Sequence, residues 1–371
     1  MAPDTDARWP AEPSRVRRSV RTSLLLESCA VARGLHTMRV GPQAFLGGAD
    51  ATTSDLGFRG SISLETSRVA VRVCADRIVR KVTMTERDVT VPRSRTFARG
   101  QADQAAAYAE ALGYPVLVRP RARFPKGPLR EPAPDAQRLR DDLQDRADRG
   151  RPGSAMVVEQ WVPGPVYSFA VVGDRVVSVV RKRRRQWVSE VYRSGAHGFG
   201  DVHPEVLDLA VCALHALPSV PHGVVHIRCP DLTEPPGTPP CVVVSVDAEI
   251  GLIARRPPSS WSLFVAEQMV AHAARHVAKS DMVPADLVHV RFVMSEVTDR
   301  AAMVRDVRRW ISAREVEGDV DEGSEDQAVV GRLTGAPGAV TMLSGLAATG
   351  RLGARAPQAV TLHAQQSEEP W

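Results

Sequence analysis

The stretch "VYSFAVVGDRVVSVV", Val166 to Val180, limits what this chain can fold into more than any other. Two runs rich in β-branched and aromatic residues are separated by only Gly173 and Asp174. Strands joined this closely must turn back on each other, because a parallel crossover needs a dozen or more residues. An all-helical fold is excluded, and this part of the chain is committed to an antiparallel sheet. "SAMVVEQWVPG" just before it reads as a further strand. "GVVHIRC" and "CVVVSVDAEI" read as a second hairpin, with the proline-rich "PDLTEPPGTPP" as its long turn.

Helices separate these strands. "DQAAAYAEALGYPVLVRP" places an alanine-rich helix, a C-capping Gly113 and a buried strand at Val116–Val118 in one run. "LLLESCAVARGLHTMRV" reads as a helix ending at Gly34 and then a strand. Between these two, one helix is expected to carry Val69, Val73, Ile78 and Val82 on its apolar side. "HPEVLDLAVCALHAL" and "WSLFVAEQMVAHAARHVA" are further helices. After the linker "KSDMVPAD", residues 287–365 run strand, helix, strand, strand, helix, strand, which suggests a small separate α/β domain.

At roughly 100–200 residues per domain, 371 residues suggest two or three domains. No run of about 20 apolar residues is present, so no membrane partner is expected. "RRSVRTSLLLESCAVA" imitates a twin-arginine signal, but Glu27 interrupts its apolar run, and it reads as a helix with an exposed basic flank. A net charge of +5 is mild, and with 5% aromatics no basic stripe alternates with stacking side chains, so no nucleic acid is expected. The basic excess suits anionic small ligands, and an arginine-rich composition accounts for it equally well. Cysteines 29, 74, 212, 229 and 241 form no CxxC pair and are expected to be reduced thiols of a cytoplasmic protein.

In this order the pieces become a pattern. "FRGSISLETSRVAVRVCADRIVRKVTM", "YAEALGYPVLVRP", "VVEQWVPGPVYSFAVVGDRVVSVVRK", "HPEVLDLAVCALHALPSVPHGVVHI" and "SVDAEIGL" follow one another over roughly 250 residues. Together they resemble ATP-grasp carboxylate–amine ligases, nearest the cyanophycin-synthetase-like and glutathione-synthetase-like branch. The resemblance implies an α/β (α+β) fold with an ATP-grasp core at 76–280, preceded by a flexible tail (1–20) and an N-terminal segment (21–75). It implies ATP and Mg2+ as cofactors and an amino acid or peptide as substrate. In that reaction a carboxylate is phosphorylated and an amine attacks the acyl phosphate.

The resemblance also places residues. Arg77 and Arg119 stand where the family has phosphate-binding lysines, and they read either as a nucleotide grip or as snorkelling surface cations. In "RARFPKGPL" the family's glycine-rich phosphate cover keeps only Gly127, and Lys126 offers a substitute charge. Glu159 falls where the hinge meets adenine, while the ribose-binding glutamate falls on Val166. The first metal aspartate falls on His226, and the Glu-x-Asn pair falls on Ser245 and Asp247. Asp247 is then the surviving metal carboxylate. Glu249, sharing its face if the strand continues, is the candidate for a shifted second ligand. Simple solvation of both acids at a strand end is the alternative. Arg181 and Arg183, in the basic run "RKRRR", are the candidates for stabilising an acyl phosphate, against a reading as solvated rim.

Residues 287–365 resemble, more weakly, the ferredoxin-like sandwich of acylphosphatase. "SEVTDRAAM" lacks the glycines of that family's phosphate loop, and "GDVDEG" places acids near the expected asparagine. Dimerisation or docking is therefore expected of it rather than hydrolysis. Two functions stand side by side: an ATP-dependent carboxylate–amine ligase, and a catalytically impaired homologue that binds a ligand or a partner as a homodimer or beside a paralogue.

Overall fold

The computed structural model describes residues 18–50, 52–98, 100–121, 131–149, 155–181, 191–193, 199, 201–237, 241–252, 260–277, 283–324, 327–353 and 355–365. In chain order its elements are α1 (Arg18–Ala32), β1 (His36–Arg39), β2 (Ala44–Gly48), β3 (Leu56–Arg59), β4 (Ile62–Ser63), α2 (Arg68–Ala75), α3 (Arg77–Thr85), β5 (Ser94–Phe97), α4 (Ala102–Leu112), β6 (Val116–Pro120), α5 (Ala136–Arg149) and β7 (Met156–Gln160). There follow β8 (Val166–Val172), β9 (Arg175–Arg181), β10 (Val191–Arg193), α6 (Pro204–His215), β11 (His222–Arg228), β12 (Val242–Asp247), α7 (Ser260–Ala273), β13 (Val288–Ser295), α8 (Arg300–Ser312), β14 (Val316–Glu322), β15 (Val329–Gly335), α9 (Pro337–Ala348) and β16 (Ala359–Gln365). Every strand pairing among these elements is antiparallel, so the fold is α+β. Among the described residues, no helix is long and apolar enough to cross a membrane.

The chain forms two compact units, residues 65–248 and the combined segments 1–64 and 249–371. The second of these carries one sheet in the order β14-β15-β13-β16-β1-β2-β3-β4. Its first four strands follow the split β-α-β plan of a ferredoxin-like sandwich. The boundary expected at residue 287 is corrected here. β16 pairs with β1, Thr37 opposite Leu362, so strands from the two ends of the chain continue one sheet. Helix α1 packs against α9 and α7, and α9 is buried from Pro337 to Ala347. The core includes Leu24, Leu25, Leu35, Phe45, Phe292, Leu343 and Leu362.

Gly331 on β15 is required by a close approach. A Cβ there would lie 2.3 Å from the Asp319 carbonyl of β14 and 2.5 Å from the Phe292 ring of β13. The Gly331→Ala variant is expected to lose about 3 kcal/mol of stability, measured by urea unfolding. A loss near zero would mean that the strands can part at no cost.

Unit 65–248 holds two smaller sheets. In β5-β7-β6, Met156 and Val158 alternate onto one face and pack with Ala105, Ala109 and Leu139 from α4 and α5. In β10-β9-β8-β11-β12, Tyr167, Phe169, Val225 and Ile227 pack with Val206, Ala210 and Leu214 of α6. The Gly173–Asp174 hairpin joins β8 to β9 as its length requires, with Val172 opposite Arg175 and Gly173 at φ 56°. One expectation about thiols is overturned: Cys229 and Cys241, which flank the proline-rich turn, form a disulfide. Cys29 and Cys74 are buried, Cys212 is exposed, and none of the three is in a disulfide.

Candidate functional site: a cationic cluster between two sheets

The site begins with a break in a helix. The expected single helix is two, because Asp76 ends α2 in an extended conformation (φ −88°, ψ 113°) and caps α3. Its side chain accepts from the Ile78 and Val79 amides at 3.0 and 3.2 Å. The redirected α3 presents a different face from the one its valines suggest. Val69 and Val82 are exposed, while Arg80 and Lys81 are buried.

Buried charge must be paired. All three Lys81 protons have partners: the Pro92 carbonyl at 2.9 Å, Ser94 Oγ at 3.1 Å and Glu159 Oε2 at 2.6 Å. Glu159 alternates with Met156 and Val158 along β7, so it points away from the α4/α5 core and lies opposite Leu117 and Ser94. Arg119, on β6, brings Nε to 3.7 Å from Glu159 Oε1. Burial pushes the Glu159 carboxyl up, but Lys81, Arg119 and Arg77 outweigh it and hold the group below its ordinary range. Burial pulls Lys81 down, and Glu159 offsets this only in part. The two directions are compatible: three cations overcome the desolvation of one carboxylate, and one carboxylate does not overcome that of an ammonium with two further cations beside it.

Arg77 donates its backbone N–H to the Arg121 carbonyl at 3.3 Å and its Nε–H to the Pro120 carbonyl at 3.5 Å, which fixes it at the end of β6. Arg121 pairs with Asp76 at 3.2 Å. From the other sheet, Arg228 at the end of β11 enters the same field. Burial lowers its pKa and so does Arg119, while Glu159 raises it. Its guanidinium lies 4.2 Å over the Trp161 ring and donates to the Gly164 carbonyl at 2.7 Å. The connection between β7 and β8 is thereby pinned to β11. Gly164 (φ 105°) approaches so closely that a Cβ would lie 3.0 Å from Pro230. Lys81, Arg119 and Arg77 act on the Glu159 carboxylate, and Arg228 shares its field, so four cations converge on this one buried acid.

On the same face of the second sheet as Arg228, three side chains from adjacent strands form a chain. Ser168 Oγ lies 2.8 Å from His226 Nδ1, and His226 Nε2 lies 3.2 Å from Asp247 Oδ2. The register brings this about: Ser168 and Ser245 both lie directly opposite His226, and Asp247 is opposite Val224. The His226 and Asp247 side chains are 14% and 16% exposed, and Ser168 is buried.

The sequence-derived candidates separate accordingly. Arg77, Arg119 and Glu159 come together, with Glu159 as the anchor of the cations and itself enclosed by them. Arg181 is placed on the other side of its sheet. It lies opposite Tyr167, which packs in the core with Ile227 and α6, away from the face that carries His226 and Asp247. Lys126 and Arg183 lie outside the described residues. The expectation for Glu249 fails, because β12 ends at Asp247 and Glu249 is exposed in the bend that follows, beyond the alternation of the strand. Lys81 and Arg228 were not foreseen. Asp76 immediately before an apolar-periodic run is the one local signal that points to Lys81. Nothing local marks Arg228.

Neither a family model nor a curated protein sequence matches this chain. Among solved structures it is similar to D-alanine–D-alanine ligase from Bacillus anthracis complexed with ATP, at 13% identity over 57% of this chain and 69% of that one, with a TM-score of 0.44. It is similar to a RimK domain ATP-grasp protein from Sphaerobacter thermophilus, at 18% identity over 54% and 68%, TM-score 0.40. It is also similar to a bifunctional glutathione synthetase from Pasteurella multocida, at 14% identity over 70% and 44%, TM-score 0.49.

Proposed function

We propose that residues 65–248 bind ATP in the manner of an ATP-grasp protein, between the β5-β7-β6 sheet and the sheet containing β8, β11 and β12. The observation that carries this reading is the group of four cations around one enclosed carboxylate. Cations that merely balance a buried acid need not outnumber it. A surplus of cations suits a polyanion. Arg119 and Arg77 are assigned to the phosphates. Lys81 and Glu159 position Arg119, and Arg228 braces the connection at Trp161 and Gly164.

The reaction proposed for such a site is ATP-dependent joining of a carboxylate to an amine, with an amino acid or peptide as substrate. A second reading is favoured by the contact of His226 with Asp247. It engages the one carboxylate assigned to a metal, and it suits a homologue that binds nucleotide or a partner without turnover.

Removing a charge-assisted contact costs roughly 1.5–3 kcal/mol. The Arg119→Ala variant is therefore expected to bind ATP at least about tenfold more weakly than the wild type in calorimetric titration, with the unliganded melting temperature recorded as a control. Absence of any ATP-dependent stabilisation of the wild type at millimolar nucleotide would refute the nucleotide reading. Release of ADP only in the presence of an amino acid or peptide acceptor would favour the ligase over the second reading.

A further inference from the structure

We infer that the Ser168–His226–Asp247 chain keeps divalent metal out of this site, so that its anionic ligand is held by protein cations alone. The part concerning the ligand rests on the nucleotide reading above. The part concerning the metal stands on the donor set.

An imidazole binds a metal through a nitrogen lone pair. In His226 both ring nitrogens are engaged, Nδ1 by Ser168 at 2.8 Å and Nε2 by Asp247 at 3.2 Å. With the proton on Nε2, the ring donates to the carboxylate and Nδ1 accepts from the serine hydroxyl. With both nitrogens protonated, no lone pair remains. With the proton on Nδ1 alone, donated to the serine hydroxyl, the Nε2 lone pair would face a carboxylate oxygen at 3.2 Å with no proton between them, an arrangement that only a shared cation would relieve. A direct Nε2–H···Oδ2 hydrogen bond is what accounts for the contact without one, and in that state neither ring nitrogen is open to a metal. The same contact commits an oxygen of Asp247, the carboxylate that the metal would need. Ser245, directly opposite His226, offers only a neutral hydroxyl. Magnesium requires hard oxygen ligands in near-octahedral geometry and is poorly served by imidazole. Among the described residues, no three His, Cys, Asp or Glu side chains gather as a metal-binding group. The positive charge that a polyanion needs is supplied by Arg77 and Arg119, with Lys81 and Arg228 adding to the field around them.

The experiment has three arms on the full chain. In the first, Mn2+ alone is titrated and followed by the electron paramagnetic resonance signal of the free ion. The wild type is expected to take up none at submillimolar concentration, and stoichiometric uptake that is lost in Asp247→Asn would overturn the inference. In the second, ATP binding is measured calorimetrically with excess Mg2+ and with EDTA. The two affinities are expected to agree within about threefold, and a Mg2+-dependent gain of tenfold or more would overturn it. In the third, His226→Asp combined with Ser245→Glu restores carboxylates beside Asp247, and the double variant is expected to acquire Mn2+ binding that the wild type lacks. A folded double variant that still excludes Mn2+ would show that His226 is not what excludes the metal, and would overturn the assignment. The wild-type arms decide the matter even if that variant does not fold. Failure of ATP to bind under either condition would remove the nucleotide reading, and the Mn2+ titration would still test the metal.

Discussion

Replacing Arg39 with alanine is expected to destabilise the unit formed by residues 1–64 and 249–371 by about 3–5 kcal/mol. Arg39 and Glu27 are an ion pair with both side chains 0% exposed. The Arg39 guanidinium donates to Glu27, to Ser344 Oγ and Ser23 Oγ at 3.1 Å each, and to the Pro42 carbonyl at 3.1 Å. Ser344 Oγ in turn donates to Glu27 Oε2 at 2.9 Å. The group joins α1, β1 and α9 in the middle of an apolar core, where the hydroxyls of Ser344 and Thr37, which also donate to Glu27, do not replace the lost counter-charge. Deleting the arginine leaves Glu27 buried and unpaired, and that penalty, rather than the worth of the pair, sets the size of the loss. The double change Arg39→Met with Glu27→Leu is therefore expected to recover most of it. Urea unfolding followed by circular dichroism tests both, with the transitions of the two units fitted separately. A single variant that loses less than about 1 kcal/mol would contradict the account.

The second large effect is expected from Lys81→Met, which leaves Glu159 buried without its hydrogen-bonded cation and with Arg119 at 3.7 Å. The expected loss is again about 3–5 kcal/mol, in the unit of residues 65–248. This site also carries a pH dependence with a definite sign. The folded Glu159 carboxyl lies below its ordinary value of 4.5, so its pairing contributes stability that is fully present above about that pH. The contribution is lost as the pH falls through the depressed folded value, because the unfolded chain then binds the proton more readily. In Lys81→Met, burial is opposed by fewer cations, and the acid-side loss should shrink or reverse. Denaturant midpoints between about pH 3 and 6 distinguish the two. Parallel pH profiles for wild type and variant would contradict the assigned pairing.

The fold was readable in proportion to how local its determinants are. The turn at Gly173–Asp174 needs no distant information, and neither does the Gly113 cap of α4, which lies at φ 84°. The alternation of Met156 and Val158 identifies the face of β7 that packs, and by subtraction the face that carries Glu159. The strand–helix order of residues 287–365 was likewise legible, and it matches β13-α8-β14-β15-α9-β16. Where periodicity misled, one capping side chain was responsible. Asp76 splits an apparently continuous helix and turns Lys81 inward, with Val69 and Val82 left outside.

Taken alone, the sequence determined the two hairpins, the alanine-rich helix with its Gly113 cap, the strand–helix order of residues 287–365, and the presence of Arg77, Arg119, Glu159 and Asp247 as chemistry awaiting partners. Only the tertiary structure decided those partners: Lys81 for Glu159, Arg228 beside Trp161, Ser168 and Asp247 for His226, Cys229 for Cys241, and β16 for β1. The reason is physical. A period of 2 or 3.6 residues states which side of an element is buried, because that depends on a few neighbours in the chain. Which strand lies opposite depends on how long-range contacts balance loop closure against burial, and no short stretch of sequence records that balance.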